Sequence, residues 1–514
     1  MNPRLALPLL FALPFCVPAS AGAADAGLPL PAAPVRVLIP DAAAFDAALG
    51  GAYRRAFDGE ASEDDPLVAA WRQSQVGGKL EAQWQSLSED LPWTWGEIRA
   101  LKPTSLGLSL LDVGHLEAVL VIETPLAVLP APLPAGTAKT RGSVAYHVVA
   151  AGAADASEDP DRRMGLAWAK SGSRLFLATS ERSLLLALDA ASTGQLFAPP
   201  LAGIVSLELD LDALSRDRYF RREFVFGPVS GQGRVRAALR LENGRLVEVR
   251  EGTGGAPASG VVFDAAGAAA AGWDSDGEGF FAALRSGVLE PLPVLAAKPV
   301  PSLLALPAAH AASDDRYLVN LEKPKPEAGA PPAEEGELAL WRELLSAQPV
   351  AGWGYVVGRD GGRRLVFAWP KSRENDLVAL CRATVERRAG RASVVDVGDV
   401  REIRVGPDLP ALALRRTGEL LWIGTSAADL ANVPSPKPAA DVVRWATIDL
   451  DAVRAEGQRW TRVEGPASPE RIRPFSDRVL GLLGWMPETR SLSVERRKTA
   501  NGWTERVVFT RSAE

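Results

Sequence analysis

The sequence predicts an α+β fold with two homologous halves, each a mostly antiparallel sheet with helices packed on one face. The first observation behind this prediction is an internal repeat. Residues 166–184, LAWAKSGSRLFLATSERSL, return 246 positions later as residues 412–430, LALRRTGELLWIGTSAADL, and seven of the 19 positions are identical. The second observation is the order strand, helix, strand, hairpin, helix, strand, which is typical of a split βαβ arrangement.

The third observation is an Asn-Gly pair near the end of each half. Asn243-Gly244 follows the alternating run 235–242, and Asn501-Gly502 follows the alternating run 491–497. Asn-Gly between two alternating runs is the strongest short-range hairpin signal. Each half is therefore predicted to close with a hairpin that turns at this pair.

Residues 1–21 have the features of a secretory signal peptide. Arg4 lies near the start, an apolar run follows from 5 to 17, and Ala19-Ser20-Ala21 forms a cleavage site. A lipoprotein at Cys16 is the alternative, but Phe15 stands where a small residue should precede a lipidated cysteine. The signal predicts a periplasmic or extracellular protein.

The same features predict the domain boundaries. The signal peptide spans 1–21, the first α+β repeat 24–253, a Gly/Ala/Pro-rich connection 254–312, and the second repeat 313–514. A mature chain of this length is ample for two hydrophobic cores.

The mature chain begins with a predicted strand at 35–39, which Pro40 ends. Asp41 is then expected to cap a helical stretch, and a second helical stretch carries Trp71 and Trp84. Trp93 and Trp95 follow, and exposed tryptophans could stack on a sugar or a peptide. With 14 tryptophans scattered along the chain, large core residues are the favoured interpretation.

A second repeated match precedes the first. Residues 120–125, LVIETP, correspond to residues 365–370, LVFAWP. After Pro370 the second copy continues into a predicted helix that carries Cys381 on its apolar face, where a buried and inert thiol is favoured over a reactive one. The first copy has the proline-rich run 125–134 instead, so its helix is predicted to be lost or displaced.

Within the repeated unit, two apolar runs flank a glycine and predict a hairpin, which a helix follows. Ser180 and Ser426 stand where the N-cap of that helix is expected. A serine at a strand-to-helix turn can also be a nucleophile, but neither serine has the full G-x-S-x-G context. Capping is the favoured interpretation.

Paired aspartates follow a predicted strand in each half: Asp210 with Asp212, and Asp449 with Asp451. Two carboxylates at this spacing could contribute to a Ca²⁺ or Mg²⁺ site. The favoured interpretation is structural, with the second Asp of each pair capping the next helix. Residues 274–278, DSDGE, resemble a fragment of a calcium loop but lack its spacing and its distal glutamate.

Composition and motifs exclude several classes of function. The net charge of −6 does not indicate a nucleic-acid-binding protein. After residue 21, no stretch of the sequence is long and apolar enough to span a bilayer. The three histidines, His115, His147 and His310, are not paired at metal-ligand spacing. Metalloprotease, lactamase-type and P-loop motifs are absent from the sequence. No cofactor is expected, and a non-enzymatic protein is favoured.

The duplicated order, the signal peptide and the segments LATS (177–180) and DLDAL (210–214) resemble a family of exported bacterial proteins that carry a duplicated α+β domain of unknown function. The resemblance implies an exported location and no catalytic residue. Three hypotheses follow: an exported non-enzymatic binding or scaffold protein whose partner is a protein or small ligand, a carrier or chaperone for an apolar cargo, and a hydrolase with an unrecognised site.

Overall fold

The computed structural model describes most of both repeats. The described residues are 27–51, 100–112, 117–129, 133, 135–149, 166–199, 201–216, 233–253, 260–275, 352–359, 363–407, 409–452 and 488–511. Those up to 253 form one compact unit, and those from 260 onward form a second.

The α+β prediction, with helices packed on one face of each sheet in a split βαβ-like order, is wrong. Among the described residues, strands account for 55% and helices for 19%, and the strands pair in antiparallel fashion. The physical reason is that the segments between the matched stretches also form strands, which widens each sheet instead of adding helices. The protein is mainly antiparallel β.

The described part of the first unit contains ten strands. Along the sheet their order is β10-β9-β8-β1-β2-β3-β7-β6-β5-β4. The strands are β1 (Val35–Ile39), β2 (Ser105–Asp112), β3 (Glu117–Glu123), β4 (Thr137–Arg141), β5 (Val144–Val149), β6 (Leu166–Ser171), β7 (Arg174–Ala178), β8 (Val205–Asp210), β9 (Arg234–Glu242) and β10 (Arg245–Thr253).

The described part of the second unit has the same strand order. It runs β22-β21-β20-β12-β13-β14-β18-β17-β16-β15, and β11 pairs separately with β19. The strands are β11 (Gly260–Phe263), β12 (Ala268–Asp274), β13 (Trp353–Gly358), β14 (Arg363–Ala368), β15 (Ser393–Val397), β16 (Val400–Gly406), β17 (Leu409–Thr417), β18 (Leu420–Gly424), β19 (Pro436–Ala439), β20 (Val442–Asp449), β21 (Thr489–Thr499) and β22 (Gly502–Arg511).

The duplication extends to the register of the central strands. In the first unit Phe176 pairs with Val121 and with Ala169. In the second unit Trp422, 246 positions later, pairs with Val366 and Arg415, which are the repeat equivalents of those two residues. The repeated stretch therefore occupies the same place in both sheets.

The Gly/Ala/Pro-rich segment 254–312, expected as a connection, contains β11 and β12. β12 pairs with β13 and β20, as β1 pairs with β2 and β8 in the first unit. It has the sequence AAAAGWD, and its glycine is required by close packing. A Cβ on Gly272 would lie 2.8 Å from the Tyr355 hydroxyl and 2.9 Å from the Trp445 carbonyl. This segment supplies a central strand.

Few helices accompany the sheets among the described residues. They are α1 (Ala42–Phe45), which continues into a π-helical turn (Asp46–Gly50), α2 (Glu181–Ser192), α3 (Leu211–Arg216), a 3₁₀ turn (Lys371–Arg373), α4 (Glu374–Ala389) and α5 (Ala427–Leu430). The predicted cap of α1 is confirmed, because Asp41 Oδ1 accepts the N–H groups of Ala43 and Ala44 at 2.9 Å.

The first of the two Asn-Gly hairpins turns as predicted. Asn243 and Gly244 have φ angles of 51° and 74°, the left-handed pair that a tight hairpin of this type requires. The second hairpin is different, because Thr499 pairs with Gly502 and the turn is made by Ala500 and Asn501.

Several sequence-based predictions lie outside the described residues. They concern the signal peptide with Cys16, the helical stretch with Trp71 and Trp84, the Trp93–Trp95 pair, His115, most of the DSDGE segment, and His310.

Candidate binding face

The two repeats carry their long helices on opposite faces of equivalent sheets. In the first repeat, Leu184, Ala187 and Leu188 of α2 pack in a core with Ala167 and Phe176. In the second repeat, Leu430 of the short α5 takes the place of Leu184 and packs with Ala413 and Trp422, the equivalents of those sheet residues.

The long helix of the second repeat, α4, packs instead on β16 and β17 from the other side of the sheet. Arg401 Nη1 donates to Asn375 Oδ1 at 2.7 Å, and Arg416 pairs with Glu374 in the first turn of α4. Both arginines belong to the strand positions that alternate with Ala413, so they lie on the face opposite α5. Beneath α4 that face is closed, and its apolar side chains are buried: Ile403, Leu412, Leu414, Leu421 and Ile423.

The equivalent face of the first repeat is partly open. Register places Val149 at the position of Ile403, Leu166 at that of Leu412, and Leu177 at that of Ile423. These three side chains are only half-buried. We call the surface formed by His147, Val149, Leu166, Trp168 and Leu177 the open face.

No helix lies at the α4 position among the described residues between β3 and β4, which are 124–129, 133, 135 and 136. In the sequence, prolines occur at 125, 130, 132 and 134. Proline lacks a backbone N–H and its ring clashes with the preceding turn, so such a sequence disfavours a helix. Val128 here is 81% exposed. That the first-copy helix is lost or displaced stays a prediction.

The open face carries one stacked aromatic pair. His147 and Trp168 are cross-strand neighbours in β5 and β6, and their rings stack with centroids 4.1 Å apart and an interplanar angle of 15°. His147 Nδ1 is buried and has no hydrogen-bond partner in the described part of the chain. The face thus carries half-buried apolar and aromatic side chains.

The aspartate pairs act as structural acceptors. Asp210 Oδ1 accepts from the N–H of Ala213 at 2.9 Å, and Asp449 Oδ1 accepts from Asp451 and Ala452 at 3.0 and 3.1 Å. The first aspartate of each pair is therefore the cap, contrary to the prediction that the second one is.

The second aspartates have other partners. Asp212 Oδ1 accepts from Gly233 N–H at 3.0 Å, and Asp451 pairs with Arg490 at 2.8 Å. Asp274 of the DSDGE segment pairs with Arg444 at 2.7 Å. Among the described residues, no group of three or more His, Cys, Asp or Glu side chains is arranged to hold a metal ion.

The two Thr-Ser steps cap helices. Ser180 Oγ accepts from Ser183 N–H at 3.1 Å and also bonds to Ser183 Oγ at 2.8 Å, while Ser426 Oγ accepts from Asp429 N–H at 3.3 Å. This geometry agrees with the capping interpretation. Cys381 is 1% exposed, and burial raises the pKa of its thiol to about 12, so the predicted buried thiol is confirmed.

The N-termini of α2 and α5 use their carboxylates differently. In the first repeat, Glu181 accepts from Lys139 Nζ at 2.8 Å and from the Tyr146 hydroxyl at 2.7 Å, and these bonds lower the pKa of Glu181. In the second repeat, Glu402 of β16 accepts from the Ala427 N–H at 2.7 Å. The N–H of Ala427 is the main cause that lowers the pKa of Glu402.

Sequence reasoning did not identify the open face as a site. Its one signal was the proline-rich run that replaces a helix. Comparisons with family models, with curated proteins and with solved structures found no match for this chain. Within the described residues, no helix has both the length and the apolar character needed to cross a membrane.

Proposed function

We propose that this chain is an exported, non-enzymatic binding protein and that the open face of its first repeat is the binding surface. The observation that carries the proposal is the comparison between repeats. Three positions of one sheet face are buried beneath α4 in the second repeat, and their equivalents Val149, Leu166 and Leu177 are half-buried in the first. Apolar surface that is left accessible is a common mark of an interaction site.

Export rests on the sequence of residues 1–21 and on the resemblance to exported bacterial proteins with a duplicated domain. A carrier or chaperone for an apolar cargo is the second candidate. Val149, Leu166 and Leu177 favour it, since they supply aliphatic surface without a charge. The two candidates differ in what lies against the open face in the cell.

Site-specific photo-crosslinking in intact cells tests the proposal. A photoreactive phenylalanine analogue replaces Leu166 or Leu177 in the full chain, and the matched control places it at Leu409, which is 62% exposed and lies outside the open face. We expect adducts with a second polypeptide at 166 and 177 but not at 409. Adducts of small apolar molecules at the same two positions would support the carrier. Adducts only within the chain would contradict both candidates.

A further inference from the structure

We propose that the open face binds an amphipathic helix of a partner protein in the position that α4 occupies on the second repeat, with the acidic N-terminal turn of that helix against Lys170. This inference rests on the proposed function and specifies the partner. The second repeat serves as the template, because its equivalent face is seen with a helix bound.

The template helix shows which apolar pattern the face accepts. Leu377, Cys381 and Val385 lie four residues apart along α4 and are all buried. Spacing of this kind forms one apolar stripe on a helix. A partner helix is expected to carry such a stripe, with medium-sized side chains at intervals of three or four residues.

The sheet positions beneath the helix remain apolar in the first repeat. The position of Leu412 is also leucine in the first repeat, Leu166. The positions of Ile403 and Ile423 are occupied there by Val149 and Leu177. Had the face been adapted to water, polar residues would be expected at some of these positions. The apolar chemistry of a helix-binding face is therefore retained, while none of the described residues of the first repeat forms a helix at the α4 position.

Charge gives the direction of the helix. The first turn of α4 carries Glu374 and Asp376. Arg416 pairs with Glu374, and Arg401 Nη1 lies 3.9 Å from Glu374 Oε1. Acidic residues at a helix N-terminus also interact favourably with the helix dipole.

At one of the equivalent positions of the first repeat, a cation can make the same kind of contact. His147 stands in place of Arg401, and Lys170 in place of Arg416. Lys170 Nζ contacts only the exposed Gly172 carbonyl among its described partners, at 2.8 Å. An ammonium at the edge of the face can pair with a carboxylate without leaving a buried charge.

A peptide with the sequence of α4, residues 374–389, is the probe. It is blocked at both termini, carries C381A to prevent oxidation, and is titrated into the mature chain with fluorescence polarisation as the readout. We expect binding that L166E and L177E each weaken at least tenfold, whereas L409E leaves it unchanged. In the peptide, E374K combined with D376K should weaken binding at least threefold, and L377D should abolish it. Circular dichroism checks that each protein variant is folded.

Binding that is insensitive to L166E and L177E would overturn the inference. The inference would also be overturned if L377D left peptide binding unchanged while E374K with D376K weakened it. The apolar stripe of the helix would then not contact the face. If the peptide does not bind although crosslinks at 166 reach another polypeptide, the helical partner is wrong and the proposed function stands. If crosslinks stay within the chain and the peptide does not bind, both are wrong.

Discussion

Replacing Trp422 with alanine is expected to lower the free energy of unfolding of the second repeat by about 3–5 kcal/mol. Trp422 is 0% exposed and lies at the centre of the core beneath α5. Its ring meets Phe263 edge-on, with centroids 5.6 Å apart. The substitution removes a large apolar side chain and leaves a cavity that the strands on either side, β14 and β17, cannot close.

The duplication makes Phe176 the matched position in the first repeat. Phe176→Ala should cost about 3–5 kcal/mol as well, because Phe176 is also 0% exposed and occupies the same place in its sheet. Hydrogen exchange with mass spectrometry separates the two effects. Trp422→Ala should raise exchange in peptides from β14, β17 and β18, and Phe176→Ala in peptides from β3, β6 and β7. A variant that changes neither set would contradict the equivalence of the two cores.

Replacing Glu402 with alanine is expected to cost about 2–3 kcal/mol. Its carboxylate is 5% exposed and accepts from Ala427 N–H at 2.7 Å and from Arg404 Nη2 at 2.6 Å. Alanine leaves the helix N–H and the guanidinium without this acceptor. Glu402→Gln keeps a side-chain oxygen that can accept from the Ala427 N–H. It should cost about half as much, because only the negative charge of the acceptor is lost. Glu419→Ala, at an exposed turn of the same repeat, serves as the control and should change stability by less than about 0.5 kcal/mol.

The same carboxylate predicts a pH dependence. The Ala427 N–H, with Arg404, holds the folded-state pKa of Glu402 below its ordinary value of 4.5. A lowered pKa stabilises the fold above the unfolded-state value, and this contribution is lost as pH falls through the folded-state value. Urea unfolding at pH 7 and pH 3 should therefore show a smaller loss for Glu402→Gln than for the wild type. An equal loss in both proteins would show that Glu402 does not contribute.

The central part of each repeat could be predicted from the sequence. The stretch around Leu175 and its copy around Leu421 fold into equivalent strands because their alternating apolar residues have one buried register. Ser180, Ser426 and Asp41 were predictable as caps, since a short polar side chain before a helix has few other roles.

The width of the sheets could not be predicted in the same way. Every residue of β4 is exposed, so Thr137–Arg141 shows no apolar alternation, and the same holds for most of β15. β12 is rich in alanine and glycine, which have low strand propensity. In the neighbouring strand β13, Gly354 is needed because a Cβ there would lie 2.5 Å from the Gly272 carbonyl. These strands depend on tertiary pairing, which local sequence does not encode.

The open face differs from its counterpart in the second repeat in burial and not in local sequence pattern. Leu166 and Leu412 are both leucines at equivalent positions of the same alternating pattern, so local sequence does not distinguish them. Their difference in burial comes from α4, which is 23 residues away from Leu412 along the chain at its nearer end, Ala389. Burial that depends on a distant element leaves little signal in the residues of the strands themselves.

Thiol-labelling rates at repeat-equivalent positions test the central claim most directly. Single cysteines replace Leu166 and Leu412 as one pair, and Val149 and Ile403 as a second. The native Cys381 is the slow internal reference, because burial raises its thiol pKa to about 12. We predict labelling at 166 and 149 at least about tenfold faster than at 412 and 403, since an accessible thiol reacts without prior opening of the fold. Equal rates within each pair would contradict the account.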